Sequence, residues 1–228
     1  MNRHHIIASV AIAALSSAAL ADGFTNFDSL TEGFMGSSFT DGGITFFDLN
    51  NDTGINPDGS SFGPGDYGTD FIIENATLAV NDFPAYLSGP NALSFGTAFV
   101  PGDNLSINVV STFSMTTGSI ANAADMDLVY YENGPWGGIH LNLYALLNGS
   151  IVGQDTIVIS DLGGRDNPVG GHLSISGVSF DTLVFNAQFA NGTSTAFAGI
   201  VDNVRIVPAP GAASLLSLAG VVLTRRRR

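Results

Sequence analysis

Ile139-His140-Leu141-Asn142-Leu143-Tyr144-Ala145-Leu146-Leu147-Asn148-Gly149-Ser150-Ile151 is the stretch that decides the fold. Ile139, Leu141, Leu143 and Ala145 alternate with His140, Asn142 and Tyr144, so an extended chain here buries one face and keeps the other polar. Asn148-Gly149 supplies the two positive φ angles that a type I′ turn demands. Ile151 then begins a return strand that Thr156 to Ile159 continue. The stretch is an antiparallel hairpin.

The same period of two spreads outward from it. Leu183, Phe185, Ala187 and Phe189 alternate with Val184, Asn186 and Gln188, and Asn191-Gly192 closes a second tight turn. Met126, Leu128 and Tyr130 alternate with Asp127, Val129 and Tyr131, and Leu105, Ile107 and Val109 with Ser106 and Asn108. Ile44 to Phe47, Phe71 to Val80, Ala92 to Phe99 and Ala196 to Val207 read as further strands. Only Ile120 to Ala124 reads as a short helical turn in the body. About ten strands punctuated by turn dipeptides predict an all-β fold, an antiparallel two-sheet β-sandwich of jelly-roll-like form. Phe, with sixteen copies, is the expected core filler. Asn56 to Gly68, rich in Gly, Pro and Asp, reads as a long loop, and loops of that length often carry function.

The ends of the chain differ from this body. Met1 to Ala21 has Arg3 before an apolar run from Ile6 to Leu15, then Ala19-Leu20-Ala21 as a small-x-small cleavage site, the pattern of a secretory signal peptide with its helix. The body spans 22–206, and residues 207–228 form a terminal segment. All twenty carboxylates lie between Asp22 and Asp202, and the body holds only Arg165 and Arg205 against them, so it carries −18. That charge repels phosphate backbones and excludes nucleic acid as a partner. Cys and Lys are absent, so neither disulfides nor thiolate metal sites staple the fold.

Few residues point to chemistry. Asp48, Asn50, Asp52, Asn56 and Asp58 place oxygens at alternating positions, a spacing that resembles the calcium loop of EF-hands and dockerins. Gly54 falls one place late for that pattern, and Gly59 stands where a bidentate Glu belongs. Trp136, the one tryptophan, sits in the turn-rich Asn133-Gly134-Pro135-Trp136-Gly137-Gly138, where an aromatic face can stack on a sugar ring or fold back onto the sandwich edge. No nucleophile elbow, P-loop or zinc-protease motif is present, and the body's His140 and His172 lack ligand spacing. Asp125 and Asp127, two apart on one strand face, are the carboxylate pair to compare with glycosidases, although a solvated face explains them equally. The expectation is a protein that is not an enzyme.

Val207, Pro208, Ala209 and Pro210, an apolar run from Gly211 to Thr224, and then Arg225, Arg226, Arg227 and Arg228 close the chain. This order resembles the PEP-CTERM sorting signal processed by exosortase, with Ala209 in place of the family's Glu. Fourteen apolar residues make a helix of about 21 Å, short of a ~30 Å hydrocarbon core, and the arginines stop it on the cytoplasmic side. The resemblance implies Sec-type export, signal peptidase and an exosortase-like enzyme as partners. It also implies a transient membrane anchor through a short C-terminal hydrophobic helix, and a final place at the cell surface or in the extracellular matrix. Phe27-Asp28-Ser29-Leu30 and Gly199 to Ile206 are similar to the first and last strands of jelly-roll domains in such proteins. In related carbohydrate-binding jelly rolls those strands hold a structural calcium, which the resemblance carries to Asp28, Glu32 and Asp202. The function expected is non-catalytic association with extracellular polysaccharide. The alternatives are a secreted glycosidase-type enzyme with an Asp/Glu pair, or a purely structural matrix protein.

Overall fold

In the computed structural model, which describes residues 22–94, 109–131, 138–159 and 168–209, the alternation from Ile139 to Ala145 holds except at Asn142, which is buried as well. The described residues belong to one compact unit. Three short strands lead the chain: β1 (Gly23–Thr25), β2 (Gly33–Gly36) and β3 (Phe39–Asp41). Then come β4 (Ile44–Phe47), β5 (Gly54–Ile55), β6 (Ser61–Phe62), β7 (Phe71–Asn75), a helix α1 (Thr77–Asp82) and β8 (Asn91–Ser94). The long strands follow: β9 (Thr112–Thr116), β10 (Ala121–Tyr131), β11 (Ile139–Leu147), β12 (Ser150–Val158), β13 (Pro168–Phe180), β14 (Thr182–Phe189) and β15 (Gly199–Pro208).

Two antiparallel sheets form the sandwich. One runs β13-β10-β15-β8-β7-β2, with β1 also on β15; the other runs β12-β11-β14-β9-β4-β3. In the deciding hairpin Asn148 and Gly149 have φ of 51° and 77°, the type I′ pair that sets the register of β11 on β12. Ile139, Leu141, Leu143 and Ala145 are fully or almost fully buried. Phenylalanine fills the space between the sheets: Phe27, Phe46, Phe71, Phe113, Phe180, Phe185 and Phe197 are among the largest fully buried side chains. Phe113 stacks on Phe185 with ring centroids 5.0 Å apart and meets Phe71 edge-on at 6.2 Å. These are the offset and edge contacts that aromatic quadrupoles favour.

Several expectations are corrected. Ile120 to Ala124 is not helical: Ala121 opens β10, which is paired on both sides by β13 and β15, and those ladders override an alanine-rich propensity. The chain does not stay extended from Phe71 to Val80; β7 stops at Asn75 and α1 follows. Phe27 to Leu30 is a turn rather than a first strand, with Phe27 at φ 59° and the Leu30 N–H bonded to the Phe27 carbonyl. Fifteen strands form among the described residues, in place of about ten, and β13 and β9 had no clear signal in the sequence. The last strand runs through Pro208, two residues past the expected domain end.

A smaller apolar cluster lies on the outside of the first sheet. Ala76, Ala79, Leu87 and Ala92 pack there on Val129 and Ile200, so α1 and the segment after it roof that face. This roof explains why β7 is buried at four successive positions instead of alternating.

Gly42 and Gly43, at φ 54° and 79°, turn β3 into β4 while the Gly42 carbonyl accepts from the Phe24 N–H. A Cβ on Gly42 would lie 1.7 Å from the Phe24 carbonyl oxygen. Gly42→Ala is therefore expected to lower stability by about 2–3 kcal/mol, because β1 must give way or the left-handed turn must be lost. Urea unfolding measures this, and a midpoint equal to wild type would contradict the close approach.

Candidate functional site

Where β4 leaves its sheet, Phe46 points into the core and Phe47, on the opposite parity, stays half-buried on the outside. The chain then makes a tight reversal, with Asp48 and Asn50 both in the left-handed region at φ 55° and 52°. Asn50 holds that reversal in place. Its Nδ2 donates to the carbonyls of Tyr67, Gly68 and Val109 at 3.3, 3.0 and 3.0 Å. Its Oδ1 accepts from the Ser111 N–H at 2.9 Å and the Ser111 hydroxyl at 3.3 Å. One buried amide thus ties the 63–68 loop to the start of β9.

The reversal leaves a cleft of about 430 Å³, lined by Ser37, Ser38, Phe47, Asp48, Asn51 and Thr69, with Leu49, Asn50, Pro64 and Gly65 behind them. Its volume lies within the range of small-molecule sites, roughly 300–1,000 Å³. One aromatic face, three hydroxyls, an amide and a single carboxylate make a lining that fits a hydroxyl-rich ligand. The loop beneath is ordered by its own contacts. Tyr67 packs edge-on against Phe62 at 5.2 Å, and its hydroxyl donates to Asn56 Oδ1 at 2.5 Å.

The five oxygens read as a calcium loop are therefore divided. Asp48 lines the cleft, Asn50 and Asp52 turn inward onto Ser111, and Asn56 is engaged by Tyr67 and Ser60. Asp58 accepts from the Ser60 hydroxyl at 2.6 Å and the Ser60 N–H at 2.9 Å, bonds that lower its pKa below the usual carboxylate value. Among the described residues no three His, Asp or Glu side chains are grouped to hold a metal ion.

Asp28 and Asp202, by contrast, come together around the segment that follows α1. Asp202 is completely buried on the outer face of the first sheet, beneath Ser88. It accepts from the Ser88 N–H at 2.7 Å, the Ser88 hydroxyl at 3.2 Å and the Asn203 N–H at 2.7 Å. Asp28 accepts from the Asn91 N–H at 3.3 Å and lies so close to Gly89 that a Cβ there would be 1.8 Å from its carboxylate. Glu32 stands exposed at the bend before β2. Burial pushes the Asp202 carboxyl up to about 6, and the nearby Asp28 charge adds to the effect against the hydrogen bonds. Protonated Asp202 is held more tightly in the folded chain than in the unfolded one, so its stabilisation is present below about pH 4 and is lost as pH rises through about 6. Stability is expected to fall by up to about 3 kcal/mol across that window in chelator, and the slope to flatten in Asp202→Asn. Melting curves from pH 4 to 7 measure it, and an equal slope in the variant would contradict the assignment.

Beside Asp202 on the same outer face, β10 presents Asp125 and Asp127. His172 Nδ1 lies 2.8 Å from Asp127 Oδ1, and Asn203 Nδ2 donates to Asp127 Oδ2 at 3.1 Å. Burial raises the Asp125 pKa against the pull of His172 and Arg205. This histidine–carboxylate pair was not legible in the sequence, since forty-five residues separate its members.

Val207 and Pro208 belong to β15, where Pro208 faces Ala121, and the Ala209 N–H donates to the Ile120 carbonyl at 2.8 Å. Trp136, Ala19, Ala21, Pro210 and Arg225 to Arg228 lie outside the described residues, as do both apolar terminal runs. Among the described residues no helix is long and apolar enough to cross a membrane. The sequence reading also missed Phe47, Ser37, Ser38 and Thr69. Their one signal was an aromatic on the outward parity at a strand end, immediately before Asp48.

No protein-family model and no curated protein matches the chain. Among solved structures it is similar to the K2 cleaved adhesin domain of Lys-gingipain, at 13% identity and a TM-score of 0.44, covering 84% of this chain and 99% of that one. It is similar also to a family 35 carbohydrate-binding module of Cellvibrio japonicus Abf62, at 14% identity and 0.30, covering 83% and 95%. A family 35 module from Clostridium thermocellum matches at 14% and 0.27, covering 61% and 92%.

Proposed function

We propose that this chain is a secreted bacterial surface or matrix protein whose β-sandwich binds extracellular polysaccharide without acting on it. The observation that carries the reading is the cleft beside Phe47, with hydroxyls, an amide and one carboxylate around an aromatic face. A pyranose offers that lining an apolar C–H face for the ring and hydroxyls for Asp48, Asn51 and Thr69. No described lining residue is basic, and the body carries only two arginines against twenty carboxylates. Uronate or sulfated chains are repelled, so the ligand is a neutral or amino-substituted polysaccharide.

The absence of catalysis rests on the same lining. Glycoside hydrolysis places two carboxyl groups across the scissile bond, and Asp48 is the single carboxylate among the described lining residues. Asp125 and Asp127 would have to serve the glycosidase alternative, but they sit on the other sheet, where His172 and Asn203 occupy Asp127. A structural matrix role without a ligand gives no reason for the cleft.

The two ends of the chain support the sorting half of the proposal. Residues 1–21 direct export through Sec and signal peptidase, and 207–228 form a PEP-CTERM-like signal for an exosortase-like enzyme after transient membrane anchoring. Calcium belongs to the proposal at Asp28 and Asp202, where a cation would relieve two close carboxylates, one of them fully buried. Affinity electrophoresis of the full chain in gels containing neutral, amino-substituted or uronate polysaccharide tests the binding half. Retardation is expected in the first or second and not in the third, and free migration in all three would remove it. Mass spectrometry of the protein from its host tests the sorting half, which requires a chain ending near Pro210.

A further inference from the structure

Beyond Phe47 the outer face of the second sheet is polar but carries almost no charge, and the strand ladders fix what stands on it. Phe47 pairs with Ser114, Ser114 with Val184, Val184 with Tyr144 and Tyr144 with Gln154, one row across β4, β9, β14, β11 and β12. The row faces outward, since the adjacent Phe46, Met115, Phe185 and Leu143 are buried in the core. Thr112, Asn186, Asn142 and Thr156 make the next row. Apart from His140 at one end of β11, no outward position on these five strands holds an ionisable acid or base stronger than the Tyr144 hydroxyl. Charge is not excluded from outer faces as such, because β10 and β15 of the first sheet present Asp125, Asp127 and Asp202 on theirs. In a body with twenty carboxylates, a sheet face of amides and hydroxyls suits a neutral, hydroxyl-rich ligand that both gives and takes hydrogen bonds.

Tyr144 makes a second ring surface on that face. Its backbone lies opposite Val184, yet its hydroxyl donates to Gln188 Oε1 at 3.2 Å. Gln188 lies opposite His140, about 13 Å further along the strands. Only side chains lying along the sheet close that gap, so the Tyr144 ring rests over the facing pair Asn142 and Asn186. Their burial agrees, for both stand on the outward face and are only 2% and 6% exposed. Their amides bond sideways, Asn142 Oδ1 with the Thr156 hydroxyl at 2.8 Å and Asn186 Nδ2 with Ser194 Oγ at 3.3 Å. Tyr144 itself is half-buried: one face of the ring covers the amides and the other is left to the outside.

We infer that the sugar chain runs across the strands of the second sheet, from the Phe47 cleft over Ser114 and Val184 to a second stacking site on Tyr144. This rests on the cleft reading and deepens it, since the ligand becomes an extended run of several sugar residues rather than a single ring. Phe47 and Tyr144 stand three strand spacings apart, roughly 14 Å. One sugar ring reaches one aromatic, and a longer oligomer reaches both.

Calorimetric titration of the full chain with neutral β-1,4-linked glucose oligomers of one to six residues, and with their N-acetylamino counterparts, tests this. In one of the two series, affinity is expected to climb about tenfold once the oligomer spans both rings, and then to level off. Tyr144→Ala is expected to remove that gain while a single residue binds as before. Val184→Arg keeps both rings and blocks the path between them, so it is expected to remove the gain too, which guards against a Tyr144 variant that simply misfolds. Equal binding at every length, lost in Phe47→Ala, would overturn this inference and leave the cleft reading standing. A length gain that survives both Tyr144→Ala and Val184→Arg would do the same. Binding by neither series at any length would overturn both.

Discussion

Replacing Asn50 with alanine is expected to lower the unfolding free energy by about 4–5 kcal/mol, a large share of the 5–15 kcal/mol that holds a domain together. The size follows from what the side chain does. Its amide makes five hydrogen bonds to two separate segments, and four of its partners are backbone groups. Removing it strands the Val109 carbonyl and the Ser111 N–H in a place where Asn50 itself is 2% exposed. Each buried group so abandoned costs about 1–3 kcal/mol. The residue also sits at φ 52°, a conformation that Asn tolerates and Ala resists by about 1–2 kcal/mol. Urea unfolding followed by tryptophan-independent circular dichroism measures the change. A loss below about 1 kcal/mol would mean that the 63–68 loop does not depend on this amide.

Phe47→Ala is expected to do the opposite: to leave stability nearly intact and weaken binding sharply. Phe47 is half-buried on the outward face of β4, whereas its neighbour Phe46 is fully buried in the core. Truncation there removes the stacking face of the cleft, the kind of aromatic anchor whose loss costs about 2–3 kcal/mol, or roughly 30- to 150-fold in affinity. Phe46→Ala would instead destabilise the fold by about 3–5 kcal/mol, as large-to-small core changes do. The contrast between adjacent phenylalanines separates a binding effect from a folding effect. Calorimetric titration with the retarding polysaccharide reads the first and thermal melting the second.

How much of this was legible in the sequence depended on whether one strand carried its own signal. The β11–β12 hairpin did, because Asn148-Gly149 can hardly serve another purpose between two alternating runs. β14 and β15 did as well. β13 did not: only Leu173 and Ile175 are buried in its middle, and Gly170, Gly171 and Gly177 dilute the alternation of an edge strand. The start of β10 misled, because a register shift between Ala121 and Ala123 breaks the period of two and leaves an alanine-rich stretch that suits a helix by propensity alone. The six residues of α1 are too few to show a helical period, and Asn75 caps the Thr77 N–H from outside the helix. The cleft was hidden for another reason. Ser37, the Phe47-Asp48 end of β4 and Thr69 are separated in sequence, and the pairing of β3 on β4 and the clasp of Asn50 bring them together. Asp28 and Asp202 lie close enough for the charge of one to act on the other, but Asp28 stands in a turn and Glu32 is exposed at the bend before β2.

The central claim is that a sugar chain rests on Phe47. A crystal structure of the full chain soaked with an oligosaccharide of the polysaccharide that retards it tests this most directly. The expected density is a pyranose ring stacked on Phe47 with its hydroxyls bonded to Asp48 and to Asn51 or Thr69. A sugar seated elsewhere, such as on Trp136, or a cleft left unfilled at saturating ligand, would contradict it.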